Sequence, residues 1–198
     1  MNYVRLILCF AFALLLQFTV LALGVRAQND LRSQVSDAVR LFPKDAKTSR
    51  NHLILFGEPA VPLIVEIIQS DKNLDPIKKS FLVDVIATLH GEKSNEALIS
   101  LLADGDPYVR GLVASYVSKR KLQTALPKLI SLLNDKEVYK TVVSTDPSSE
   151  HSVLVRDVAI DALQALTGKV LARRGTKEQK AQAWMRWWRM QQKRKGKC

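Results

Sequence analysis

The residues best equipped for chemistry are three histidines and two cysteines, and their placement limits what the chain can do. His52, His90 and His151 lie far apart, and none has a second His or Cys three or four residues on, the spacing that turns two ligands onto one helical face. Glu150-His151 is an isolated pair and reads as solvent-exposed. Cys9 falls in an apolar leader and Cys198 is the last residue, so a mature chain has no internal disulfide; in an oxidising compartment Cys198 could link two copies into a dimer. A Gly-rich phosphate loop, a serine nucleophile motif and a usable catalytic cysteine are all missing. The expectation is therefore a chain without catalytic, cofactor-binding or metal-binding residues.

Binding chemistry is better represented. Trp184, Trp187 and Trp188 follow Gly175, where Thr176 and Gln179 have the spacing of a capping box that opens a helix. These rings could form an aromatic platform or close the end of a core. Leaving three indoles in water would forgo several kcal/mol at about 25 cal/mol/Å², which favours closure, with Trp184 and Trp188 on a shared face. The formal net charge is +11, but it is not spread evenly: residues 28–168 carry 17 Lys/Arg against 18 Asp/Glu, and residues 169–198 carry 11 Lys/Arg against Glu178 alone. Arg186, Arg189, Lys193, Arg194, Lys195 and Lys197 could hold an anionic membrane, an acidic wall polymer or an acidic protein, each contributing up to about 1 kcal/mol near an anionic surface. Nucleic acid is disfavoured by the location expected below.

The elements that position these residues are repeated. Leu98-Ile99-Ser100-Leu101-Leu102 recurs as Leu129-Ile130-Ser131-Leu132-Leu133, at an offset of 31, and Asp75-Pro76-Ile77 stands at the same offset from Asp106-Pro107-Tyr108. Ala60-Val61-Pro62 aligns with Ala125-Leu126-Pro127, and Val155-Arg156 with Val109-Arg110. Leu122, Ala125, Leu126, Leu129, Ile130 and Leu133 make one stripe of a 3.6-residue helix, and no segment alternates for long enough to require a strand. Aspartate before proline in a first turn is a helix start, so Asp75 and Asp106 read as caps; Gly91, Gly105 and Gly168 fall between helices.

A helix pair of this size cannot bury its own apolar face, whereas stacked pairs build a continuous core. The expectation is an all-α fold, an α-solenoid of about four helix pairs. Leu31, Val35, Ala38, Val39 and Phe42 form an N-terminal cap helix, and the Trp-rich helix stands at the C-terminal end. Asp106-Pro107-Tyr108-Val109-Arg110, followed by the Leu-Ile-Ser-Leu-Leu helix, resembles the short HEAT-like, PBS-lyase-type repeat of exported bacterial proteins, over about residues 48–168. The resemblance implies structural roles for Asp75, Asp106, Arg110, Arg156, Trp184, Trp187 and Trp188, and a protein-interaction scaffold as the function. Lys79 replaces the arginine of the other units, and the first unit lacks the Asp-Pro start. Some HEAT-like proteins are lyases acting on bilin chromophores, a rival that needs a cofactor-sized polar cavity and a cytoplasmic chain.

Location and partners complete the reading. Met1 to Arg5 and the apolar run Leu6 to Leu23, followed by Val25-Arg26-Ala27, read as a signal peptide cleaved after Ala27 or as an N-terminal membrane anchor, giving segments 1–27, 28–190 for the repeat domain and 191–198 for a basic tail. Either way the body is extracytoplasmic, periplasmic or secreted. The second helices of stacked repeats usually line the binding side, which nominates Glu66, Gln69, Lys128 and Ser131 for an unidentified protein partner. The insertion from Glu137 to His151 adds Tyr139. Arg189, Lys193, Arg194, Lys195 and Lys197 represent the alternative function, a polyanion- or membrane-surface-binding module.

Overall fold

The computed structural model describes residues 24–71, 73–142 and 151–195. The apolar leader, Lys197 and Cys198 lie outside them. The chain divides into two compact units, Met1–Phe56 and Gly57–Cys198.

The N-terminal unit holds α1 (24–41) and α2 (Ala46–Phe56). Val35, Ala38 and Val39 are buried on one side of α1, as their spacing requires, and Leu53 is buried on α2. The buried Ser49 hydroxyl donates to the Ala38 carbonyl at 2.6 Å, which ties the helices together and satisfies a polar group that burial would otherwise penalise. Asp45 starts α2 without a following proline: its carboxylate accepts from the Thr48 N–H at 2.9 Å and the Thr48 hydroxyl at 2.6 Å. Those two bonds, the hydroxyl's first, hold its pKa below the usual carboxylate value.

The second unit stacks α3 (Val61–Ser70), α4 (Pro76–Thr88), α5 (Glu92–Leu101), α6 (Pro107–Lys119), α7 (Leu126–Ser131), α8 (Val155–Thr167) and α9 (Lys177–Lys195) in sequence. α4, α6 and α8 pack in one layer as the first helices of successive repeats, each against its neighbour. α3 and α5 pack together in the second layer, and α7 continues it one repeat on. α9 packs against α8 and α7 and so supplies the second helix of the last pair, rather than standing beyond it. This is a small α-solenoid. Asp75 caps α4 by accepting from the Ile77 and Lys78 N–H groups at 2.7 and 3.2 Å, and Asp106 caps α6 by accepting from Tyr108 N–H at 2.9 Å. Thr176 and Gln179 form their reciprocal box, at 2.9 and 3.3 Å. Gly168 ends α8 at φ 67°, a conformation costly for a side chain with a Cβ.

One expectation is corrected: the insertion contains strands. β1 (Val138–Val142) and β2 (His151–Leu154) pair antiparallel, with Lys140 opposite Val153 and Val142 opposite His151. Strands of five and four residues suffice because the hairpin leans on α6 and α8 and does not stand alone. The register slips between Val138 and Lys140, and at that irregularity Tyr139 turns onto α6. Its ring stacks on Tyr108, with centroids 5.7 Å apart, and lies over Gly111, where a Cβ would collide with it.

Ion pairs stitch successive repeats together and tie the last helix pair. Lys79 reaches the Oδ2 of Asp106, whose Oδ1 caps α6. Arg110 donates to Asp135 and to Glu137, each at 2.7 Å, and to the Asp104 carbonyl at 2.8 Å. Arg156 reaches Glu178 at 2.8 Å, joining α8 to the start of α9. Lys79 therefore does the work of its arginine counterparts with a single point charge, where Arg110 uses a fork. Burial alone would lower the Arg110 pKa, but the bonds from Asp135 and Glu137 outweigh it and keep the group's pKa raised.

Candidate interaction surfaces

The repeat offset that buries Ile64, Leu98 and Leu129 also fixes which residues face out on the second helices. Glu66, Ser100 and Ser131 occupy one equivalent position and are all exposed; Gln69, Ala103 and Asn134 occupy another and are exposed too. Lys128 is exposed beside them on α7. The Ser100 and Ser131 hydroxyls donate backward to Ala97 and Lys128 carbonyls at 2.9 and 2.7 Å, which leaves their oxygen lone pairs to accept from a partner. Gln69 borders a groove of about 530 Å³ with Asp71, Asp104 and the Lys79–Asp106 pair. Among the described residues that line the groove Lys79 is the one cation, and it is paired with Asp106, while Asp71 and Asp104 add two carboxylates.

Tyr139 does not join this surface. It is half-buried on the first-helix side, where the hairpin, α6 and α8 enclose a groove of about 560 Å³ that includes Ser115, Ser118, Lys119, Lys140 and Asp161. Burial, and next the neighbouring Tyr108, raise its phenol pKa. Lys140 stands 5.3 Å from the Tyr139 ring centroid and Lys119 the same distance from that of Tyr116.

The third surface is α9. Trp184 is 1% exposed and closes the core, while Trp187 and Trp188 are half-buried. Trp187 meets Trp184 edge to face at 5.4 Å and 82°, and Trp188 at 6.2 Å. A one-face reading paired Trp184 with Trp188; the ring contact instead runs through Trp187, three residues on. Arg186, Arg189, Lys193 and Arg194 are exposed on a helix that runs unbroken to Lys195, so the expected boundary at residue 190 falls inside it. Sequence reasoning missed Asp135, Glu137 and Glu178 as anion partners; the 31-residue offset that carries Asp75 to Asp106 also carries Asp104 to Asp135 and Asp106 to Glu137, and was the available signal for the first two.

Among the described residues no group of three or more His, Cys, Asp or Glu is placed to hold a metal ion. No single helix among them is long and apolar enough to cross a membrane. Residues 61–144, from α3 into the hairpin, match the family of HEAT repeats. No curated protein matches the chain. Residues 61–144 are a HEAT repeat domain, a type of domain that generally engages protein partners and is generally not catalytic.

Proposed function

We propose that the protein is a non-enzymatic scaffold for protein–protein interaction, working in the cell envelope or outside the cell and engaging its partner through the second-helix layer. The observation that carries this reading is the pair of in-register exposed rows, Glu66–Ser100–Ser131 and Gln69–Ala103–Asn134. Repetition produces an exposed, mostly polar strip whose groups recur from repeat to repeat, well suited to an extended partner and poorly suited to gathering groups around one reacting atom. The extracytoplasmic setting rests on the apolar run Leu6 to Leu23 and the Val25-Arg26-Ala27 pattern.

The test is affinity capture with the repeat domain as bait, washed at low and at high salt, beside a variant carrying Ser100→Arg and Ser131→Arg. Both positions are exposed, so the variant should fold. A discrete protein retained at high salt by the wild type and lost by the variant supports the scaffold. Equal capture by both removes the second-helix strip from the binding surface.

A further inference from the structure

Beyond the scaffold reading, and independently of it, we propose that the outer face of α9 docks in plane on an anionic phospholipid surface. Ala183, Trp187 and Met190 follow one another at i, i+4 and i+7 and so share one side of the helix. They line a groove of about 580 Å³ together with Leu171, Arg186, Arg189 and Lys193. Met190 is 55% exposed and Trp187 half covered, so this apolar stripe stands partly in water. The adjoining side of the helix, with Ala181 and Trp184, is buried in the repeat core, and Trp187 touches it through its edge-to-face contact with Trp184.

The composition of the face selects its occupant. After Glu178 the sequence has no acidic side chain, so Arg186, Arg189 and Lys193 stand in a stretch whose charged side chains are all positive. Two large apolar side chains are too few for a stable protein interface, which needs on the order of 1,000 Å². They are enough for interfacial partition, where an indole and a thioether enter the headgroup boundary while Arg and Lys stems lie along it and their charges stay in water. Because residues 28–168 are nearly neutral, the positive field is concentrated on this end and would orient the molecule toward an anionic bilayer. The apolar run Leu6 to Leu23 is expected to bring the chain to a membrane in the first place.

The chain's three tryptophans all lie on α9, so tryptophan emission reports this helix alone. The experiment adds the full chain to vesicles of brominated phosphatidylglycerol and phosphatidylcholine in equal parts, and to vesicles of brominated phosphatidylcholine alone. The apolar leader is common to every arm, so the difference between the wild type and variants of α9 belongs to α9. Anionic vesicles should blue-shift and quench the emission, neutral vesicles should leave it, and half-molar salt should reverse the effect. Arg186→Gln, Arg189→Gln and Lys193→Gln together should require roughly a hundredfold more anionic lipid for the same quenching. Met190→Asp, at an exposed position that folding does not depend on, should weaken it as well. Equal quenching by both vesicle types, quenching by neither, or a triple variant that behaves like the wild type would overturn the proposal. Binding of soluble polyglutamate without quenching by lipid would overturn it in favour of an acidic polymer.

Discussion

Removing the Trp184 ring should cost more than removing either of the other indoles, although the sequence makes all three look alike. Trp184 is 1% exposed, so its side chain hides on the order of 200 Å², worth about 5 kcal/mol at ~25 cal/mol/Å². Partial collapse of the site returns some of this, and buried Trp→Ala changes cost about 3–5 kcal/mol. The edge-to-face contact with Trp187 adds about 1 kcal/mol to the loss. Trp184→Ala should therefore destabilise the second unit by about 4 kcal/mol, and Trp188→Ala, half-buried, by roughly half as much. With a urea dependence of about 2 kcal/mol/M, the midpoint should fall by roughly 2 M for Trp184→Ala and 1 M for Trp188→Ala. Circular dichroism follows the whole helix content and tryptophan emission follows α9. Because stacked repeats couple mainly to their neighbours, the fluorescence midpoint should fall at least as far as the dichroism midpoint. A shift within about 0.25 M for Trp184→Ala, equivalent to about half a kcal/mol, would refute the view that this ring closes the core.

Arg110→Met should cost about 3 kcal/mol in the same titration, because it leaves the largely buried Asp135 unpaired, and Arg110→Met with Asp135→Leu should recover most of that loss. Gly111→Ala should lift Tyr139 and loosen the hairpin, read as faster hydrogen exchange across Val138–Val142, whereas Gly105→Ala meets open space and should leave exchange unchanged. Glu178 has a lowered pKa, first from its own backbone N–H, then from Thr176, with Arg156 also contributing. Its contribution is thus present above the ordinary value of 4.5 and lost as pH falls through the lowered one. Tryptophan emission should report α9 loosening in that acid window, and Glu178→Gln should flatten the response.

How much of this was legible in the sequence depends on the range of the interaction. Caps are local, so Asp75, Asp106 and the Thr176–Gln179 box could be read directly, and the 31-residue offset gave away the stacking. The hairpin was not legible, since Val138–Val142 is short and owes its strand form to α6 and α8. Lys79 looked like a departure because its partner, Asp106, belongs to the next repeat. Tyr139 looked available to a partner because nothing in its neighbourhood announces Tyr108 or the gap at Gly111. Which indole is buried depends on the azimuth of α9 against α7 and α8, a quantity periodicity alone leaves open.

The most direct test of the central claim places a photo-crosslinking amino acid at Ser100 or Ser131 on the second-helix strip and, for comparison, at Ile77, which is 68% exposed on the first helix α4. Irradiation in cells should give one discrete protein adduct from Ser100 and Ser131 and none from Ile77. Adducts from Ile77 alone, or none from either strip position, would contradict a scaffold that binds through its second helices.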